Sequence, residues 1–88
     1  MATEWHPALI ALGQHILTVR NARGILQEDC MVEAGLGRSY YCGGERGERN
    51  ISALNLMRIA VALKVEVGEL FPPIRTTELL LTQNDTKE

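Results

Sequence analysis

Apolar residues recur along the first part of the chain at helical spacing. Four of them fall three or four positions apart, as on one face of a helix: Leu9, Leu12, Ile16 and Val19. Pro7 suits a first helical position, because its missing N–H group is not needed there. Gly24 follows the apolar series and suits a left-handed helix end. The pattern therefore predicts a first helix over residues 8–23.

Two shorter helical segments follow, with a glycine-containing turn between them. The first covers residues 27–34 and carries Glu28 and Asp29 in its first turn, where the helix dipole favours carboxylates. The second covers residues 38–46 and is closed by Gly47. Two short helices joined by a turn of three or four residues that contains glycine are the signature of a helix-turn-helix.

The rest of the chain predicts two more helices and a tail. Ser52 is a suitable N-cap for a helix over 53–63, and a last short helix over 68–71 ends before two prolines. Residues 74–88 contain one apolar run and a polar end, which we expect to fray. We expect an all-α fold of five helices. Its parts are an N-terminal arm (1–7), one domain (8–72) and a tail that is partly disordered or part of a dimer contact (73–88).

Composition limits the classes of function. The 88 residues suffice for one domain, and aromatic residues make up only 5%, so the core must be aliphatic. Nine basic residues against eleven acidic ones give a net charge of -2. This balance excludes a simple polybasic nucleic-acid binder but allows a local basic face. All the basic residues except Lys64 and Lys87 are arginines, which suit bidentate recognition of phosphate or guanine.

The sequence gives little support for metal binding, phosphate binding or a membrane location. Cys30 and Cys42 have no zinc-type spacing, and the two histidines, His6 and His15, lie far upstream. The glycines form no phosphate-binding loop, since they follow no strand and lack a nearby lysine. No apolar run approaches the ~18 residues of a membrane span, and no secretory signal is visible. We expect no enzyme activity, metal, cofactor or small-molecule ligand, and a cytoplasmic location.

Many spaced positions together resemble the lambda-repressor-like, or xenobiotic-response-element type, helix-turn-helix regulators. They are residues 27–29, 34–36, 38–40, 45–50, Leu54, Leu56, 59–60, 62–63, Val65 and 67–71. Stretches 45–50 and 65–71 are especially similar to the small controller proteins of restriction-modification systems. The resemblance implies a five-helix domain that binds a palindromic DNA operator as a homodimer and regulates transcription, as a repressor or an activator and in autoregulation. An antitoxin or a protein-interaction module is the alternative, favoured by the acidic net charge and by Gly43-Gly44.

The chain departs from the family pattern at a few positions. Leu26 and Gly37 stand where the family has an N-cap serine, and a leucine should destabilise its helix by about 1 kcal/mol. Gly43 and Gly44 stand inside the third helix, where the family has a longer residue and an aliphatic one. We expect the ring of Tyr41 to fill the space that Gly44 leaves.

The resemblance also implies which residues contact DNA. Arg38 and Ser39 would meet base edges, with Cys42 and Gly43 one turn later on the same face. Gln27 and Tyr40 would bind phosphates, and Arg46 and Arg49 would clamp the backbone. Simpler roles stay open: a solvated charge for Arg38 or Arg49, an exposed first-turn residue for Gln27, and surface packing for Tyr40. Cys42 is either a small residue that permits close approach or a redox or metal sensor.

Three further predictions concern structure and assembly and not DNA contact. The family pairs an arginine late in the first helix with a glutamate late in the third, which implies an ion pair of Arg20 with Glu45. Cys30 takes an aliphatic position and belongs to the core. The C-terminal part has more apolar surface than one short helix can bury, so we expect a dimer interface there. It comprises Val65, Val67, Leu70 and Phe71, with 79–81 as a possible extension.

Overall fold

The computed structural model describes residues 6–84, which form helices and no strand. The α-helices are α1 (Pro7–Ala22), α2 (Gln27–Ala34), α3 (Arg38–Arg46), α4 (Ala53–Leu63) and α5 (Ile74–Asn84), and a 3-10 turn covers Val67–Leu70. The predicted all-α class is confirmed, and the predicted bounds of α2, α3 and α4 are those observed. α1 begins one residue earlier than predicted, where the Nδ1 atom of His6 accepts the backbone N–H of Ala8 at 3.0 Å.

One mainly aliphatic core lies between the first four helices and the 3-10 turn. Its fully buried members are Ile16, Cys30, Ile59, Leu63, Leu70 and the single aromatic residue Tyr41. Cys30 is a core residue, as predicted, and burial raises the pKa of its thiol. The small aromatic content of the chain thus agrees with a core built from aliphatic side chains.

α1 and α3 meet backbone to backbone. A Cβ atom placed on Gly13 of α1 would lie 2.5 Å from the carbonyl oxygens of both Gly44 and Glu45 in α3. At the end of α3, Gly47 has φ 81° and packs against the backbone of Ile10. These glycines allow α3 to lie on the backbone of α1, so α1 fixes the position of α3.

The space beside Gly44 is filled by Ile51. A Cβ atom on Gly44 would lie 2.6 Å from Cδ1 of Ile51. The prediction that Tyr41 fills this space is wrong, because its hydroxyl points to Glu45, at 2.5 Å from Oε2. The loop after α3 therefore supplies the side chain that α3 lacks at this point.

The helix ends agree with the sequence reasoning. Leu26 and Gly37 make no side-chain hydrogen bond to the helices that they precede. The Oγ atom of Ser52 accepts the backbone N–H of Asn55 at 3.1 Å, as an N-cap does. Gly35 has φ 72°, a left-handed conformation that favours glycine at a helix end.

The C-terminal part contains more helix than predicted. The predicted helix over 68–71 is not an α-helix: residues 68–70 belong to the 3-10 turn, and Phe71 is its extended C-cap. Glu66 and Glu69 cap the start of this turn reciprocally. The fifth α-helix is α5, in a stretch to which sequence analysis assigned no element, and it packs against α1. Residues 1–5 of the predicted arm and 85–88 of the predicted frayed end lie outside the described residues.

Candidate DNA-binding site

α2, a short turn and α3 form the helix-turn-helix. The turn begins at Gly35 and is stabilised by the backbone N–H of Leu36, which donates to the carbonyl of Met31 at 3.0 Å. On α3, Tyr41, Gly44 and Glu45 face the core, whereas Arg38, Ser39 and Arg46 are exposed. α3 thus has one face fixed by packing and an opposite face that is available to a partner.

An ion pair links α1 to the fixed face of α3. Nε and Nη2 of Arg20 donate to the two carboxylate oxygens of Glu45, at 2.8 Å and 3.2 Å. Nη1 of Arg20 donates to the carbonyl of Ile25 at 2.9 Å. The hydrogen bond with Glu45 raises the pKa of Arg20, and both side chains are buried. A buried bidentate pair of this kind holds the orientation of α3 relative to α1.

Two more donors complete the coordination of the Glu45 carboxylate. Nε2 of Gln27 donates to Oε1 at 3.0 Å, and the hydroxyl of Tyr41 donates to Oε2. Burial, followed by hydrogen bonds with Cys30 and Glu45, raises the pKa of Tyr41. The side-chain N–H of Gln27 is therefore used within the protein, and its predicted phosphate contact would rest on its remaining polar groups. Sequence reasoning assigned neither Gln27 nor Tyr41 to this network.

Both arginines of α3 are paired with carboxylates. Nη2 of Arg38 lies 2.7 Å from Oε1 of Glu28, in the first turn of α2. Arg46 makes two hydrogen bonds to Glu48, at 2.9 Å and 3.1 Å, and these lower the pKa of Glu48. Both pairs are exposed and can exchange their carboxylates for another anion. Sequence reasoning placed Glu28 only at the positive end of a helix and missed its contact with Arg38.

Tyr40 connects α3 to the start of α4. Its hydroxyl oxygen accepts the backbone N–H of Ser52 at 3.2 Å and Nδ2 of Asn55 at 3.0 Å. Burial would raise the pKa of Tyr40, but these donors outweigh it and lower the pKa. Since the oxygen accepts in both bonds, the hydroxyl hydrogen can still donate to an acceptor such as a phosphate. Sequence reasoning gave the side chain of Asn55 no part in the site.

The remaining predicted residues are Ser39, Cys42 and Gly43 of α3 and Arg49 of the loop that follows it. Nη2 of Arg49 lies 3.5 Å from Oγ of Ser39, and its guanidinium carbon lies 5.8 Å from the ring centre of Tyr40. Cys42 is half-buried and carries a free thiol. Gly43 differs from the expectation of an open face, because it is buried beneath the side chain of Arg49.

The predicted dimer surface needs one correction. Leu70 has no exposed surface and belongs to the core, so its inclusion was wrong. Val67 and Phe71 remain exposed, at 37% and 41%, and Val65 is half-buried. The structure also exposes an apolar row on α4, three and four positions apart: Leu54, Met57 and Val61.

Two other expectations concern the whole described chain. Within residues 6–84, no three His, Cys, Asp or Glu side chains lie together in an arrangement that could hold a metal ion. None of the helices in the same range is long and apolar enough to span a membrane.

Known controller proteins and an HTH-type transcriptional regulator are similar to this chain. The control protein C.MunI of a Mycoplasma species is 35% identical over 66 residues, which are 74% of this chain and 89% of that protein. The HTH-type transcriptional regulator y4dJ of Sinorhizobium fredii is 32% identical over 66 residues, 75% of this chain and 86% of that protein. The crystal structure of the restriction-modification controller protein C.AhdI from Aeromonas hydrophila matches with a TM-score of 0.69 and 44% identity, covering 72% of this chain and 96% of that one. No protein-family model matches.

The helix-turn-helix fold and these relatives identify the chain as a helix-turn-helix DNA-binding transcriptional regulator. Within that class, the chain belongs to the family of restriction-modification controller proteins. This family consists of regulators and not of enzymes.

Proposed function

We propose that the protein binds a palindromic operator as a homodimer in the cytoplasm and regulates transcription of its own gene. The observation that carries the proposal is the arginine-rich outward face of α3. Arg38, Arg46 and Arg49 lie on or beside this face, although the whole chain has a net charge of -2. Three arginines thus stand where a recognition helix meets DNA, and the exposed carboxylates that pair with Arg38 and Arg46 can be exchanged for a base or a phosphate.

Arg38 stands at the first position of α3, where recognition helices contact base edges. Its guanidinium can donate two parallel hydrogen bonds to O6 and N7 of a guanine. To do so, Arg38 gives up its ion pair with Glu28. On a sequence without a suitable base, the new contact compensates less for the lost ion pair, so binding is weaker. Arg46 exchanges Glu48 for a phosphate in the same way, and Tyr40 donates its hydroxyl hydrogen to a phosphate.

Dimerisation follows from the small reach of one recognition helix. A single α3 reads only a few base pairs, whereas two copies related by a twofold axis read both halves of a palindrome. Exposed Val67 and Phe71 offer apolar area for that contact. Operator occupancy then depends on the concentration of the protein itself, which is the basis of autoregulation.

A gel shift with DNA from upstream of its own gene tests this proposal. We expect the protein to shift that duplex at a lower concentration than a scrambled duplex, and nuclease protection to show two symmetric half-sites. Arg38→Ala serves as the control variant that keeps the fold. Equal affinity for both duplexes would contradict the proposal and favour a role in protein interaction.

A further inference from the structure

The hydroxyl group of Tyr40 receives its hydrogen bonds from the start of α4. Its oxygen accepts the backbone N–H of Ser52 at 3.2 Å and Nδ2 of Asn55 at 3.0 Å. Burial would raise the pKa of Tyr40, but Asn55, Ser52 and the charge of Arg49 lower it, as groups that favour a negative oxygen do. The oxygen is thus used as an acceptor, and the hydroxyl hydrogen is what Tyr40 can offer to a further partner.

The side-chain amide of Asn55 has its orientation set by Arg58. Oδ1 of Asn55 accepts Nη1 of Arg58 at 2.7 Å, one turn later on α4. A guanidinium has donors only, so it requires the amide oxygen on its own side and the amide nitrogen on the side of Tyr40. If the amide were turned over, Nδ2 would face the donors of Arg58 and Oδ1 would accept the Tyr40 hydrogen. The contact with Arg58 therefore disfavours a Tyr40 hydroxyl that donates towards α4.

We propose that Asn55, fixed by Arg58, is a positioning residue that turns the Tyr40 hydroxyl hydrogen away from α4 for donation to a DNA phosphate. This inference rests on the proposed function, in which Tyr40 contacts a phosphate. Neither Asn55 nor Arg58 needs to touch DNA, because both act through Tyr40. A hydroxyl group that is already oriented loses less freedom on binding, and the non-bridging oxygens of a phosphodiester only accept.

Asn55→Asp is the first test. The side chain keeps its shape and its contact with Arg58, but its second oxygen would accept the Tyr40 hydrogen and hold it within the domain. The fold should persist, because residue 55 is the third of α4, where the helix dipole favours a carboxylate. We expect affinity for operator and scrambled duplexes to fall alike, by about tenfold, as for loss of one hydrogen bond to a charged group.

The ionisation of Tyr40 gives a readout without DNA. The chain has two tyrosines, and burial raises the pKa of Tyr41, so in the folded protein Tyr40 ionises first. Phenolate absorbance during an alkaline titration measures this step. The pKa of Tyr40 should be higher in Asn55→Asp than in the unmodified protein, because an acceptor replaces a donor to the oxygen.

Tyr40→Phe separates positioning from a direct effect on DNA. In this background, Asn55→Asp retains only the repulsion between its carboxylate and DNA, so most of its effect should vanish. Arg58→Lys keeps a donor for Oδ1 and should retain both the affinity and the pKa of Tyr40. Arg58→Gln can also accept, so the amide can turn over, and affinity should fall about two- to tenfold, the range for one ordinary hydrogen bond. Arg75→Gln removes the same charge from an exposed position of α5 and is the matched control.

Several results would overturn the inference. An unchanged pKa of Tyr40 in Asn55→Asp would show that Asn55 does not act on the hydroxyl. An equal loss of affinity with and without that hydroxyl would show that Asn55 acts on DNA directly. In the Tyr40→Phe background, a larger effect of Arg58→Gln than of Arg75→Gln would show the same for Arg58. If Tyr40→Phe alone binds as the unmodified protein does, there is no phosphate contact to position. These results leave the proposed function intact, since it fails only if the unmodified protein does not prefer its operator.

Discussion

Arg20 and Glu45 are 25 residues apart in the chain and meet at two points, with Nε to Oε2 at 2.8 Å and Nη2 to Oε1 at 3.2 Å. The pair is buried and joins α1 to the inner face of α3. Gln27 of α2 donates to the same carboxylate, so three helices meet at Glu45. The position of the recognition helix therefore depends on one carboxylate.

Replacing that carboxylate should destabilise the domain. Glu45→Gln leaves Arg20 as a buried charge without its partner, and loss of one member of a buried pair lowers the free energy of unfolding by about 3–5 kcal/mol. Denaturant titration followed by circular dichroism measures the change. Arg49→Ala, an exposed loop position, should leave stability nearly unchanged. Equal losses in the two variants would show that Arg20 and Glu45 do not stabilise the fold.

Tyr41 should make stability depend on alkaline pH. Burial raises its pKa in the folded state, whereas in the unfolded chain it ionises near about 10. Below the pKa of the unfolded chain, Tyr41 makes its full contribution to the free energy of unfolding. Above that pKa, the unfolded state loses a proton that the folded state keeps. Stability should therefore fall with a slope of up to about 1.4 kcal/mol per pH unit. Tyr41→Phe should lack this part of the slope, so parallel curves for the two proteins would contradict the assignment.

The close contact of α1 with α3 can be tested at Gly13. In Gly13→Ala the new methyl group would meet two backbone carbonyl oxygens at 2.5 Å, so whole helices must move apart. We expect a loss of more than about 3 kcal/mol, beyond the usual range for overpacking, because no side chain can yield. Gly68→Ala adds the same methyl group where no atom lies within 4 Å, and should be nearly neutral in thermal melting. A mild effect of Gly13→Ala would mean that α1 and α3 are not in contact.

Local patterns account for what the sequence predicted correctly. Apolar spacing and the glycines at 35 and 47 define α2 and α3, because both signals act within one helix. α5 was not predicted, because Leu79-Leu80-Leu81 is a continuous run without helical spacing. The packing of α5 on α1 is a tertiary contact, which a local pattern does not show. Leu70 was misplaced for a similar reason: whether an apolar residue is buried depends on elements distant in the chain.

In the candidate DNA-binding site, too, local features were predicted and tertiary contacts were not. The resemblance indicated the face of α3, but not which side chains occupy it. Ile51 fills the space at Gly44 and Arg49 covers Gly43, and both come from the loop after the helix. The pairing of Glu28 with Arg38 spans ten positions and two helices. No pattern within one helix encodes such contacts: the loop after α3 supplies Ile51 and Arg49, and the packing of α2 on α3 brings Glu28 to Arg38.

The dimer surface predicts a pair of contrasting variants. Phe71→Glu places a charge on exposed apolar surface and should give monomers with intact helices in sedimentation experiments. Leu70→Glu should instead unfold the domain, since it buries a charge in the core. Val32→Glu changes an apolar and more exposed residue of α2 outside the predicted surface and should leave the dimer intact. Ordinary dimers form at concentrations of roughly tens of micromolar or below. If the unmodified protein sediments as a monomer at such a concentration, the prediction of a dimer is wrong.

The last prediction concerns Arg38 and Glu28, whose carboxylate lies 2.7 Å from the guanidinium and, under the proposed function, would compete with DNA for it. Arg38→Ala should lower operator affinity about ten- to a hundredfold and random-duplex affinity much less. Arg46→Ala should weaken both alike and reduce the salt slope by about one.

Removing the competing carboxylate should act in the opposite direction. Glu28→Gln frees Arg38, so affinity for random DNA should rise about two- to fivefold, as expected for loss of an exposed ion pair. Glu33→Gln removes the same charge from the exposed end of α2 and controls for general repulsion. Titrations of each variant on operator and random duplexes at several salt concentrations measure these effects. In the Arg38→Ala background, Glu28→Gln should act no more strongly than Glu33→Gln. A gain that persists without Arg38 would show that Glu28 repels DNA directly and does not restrain the arginine.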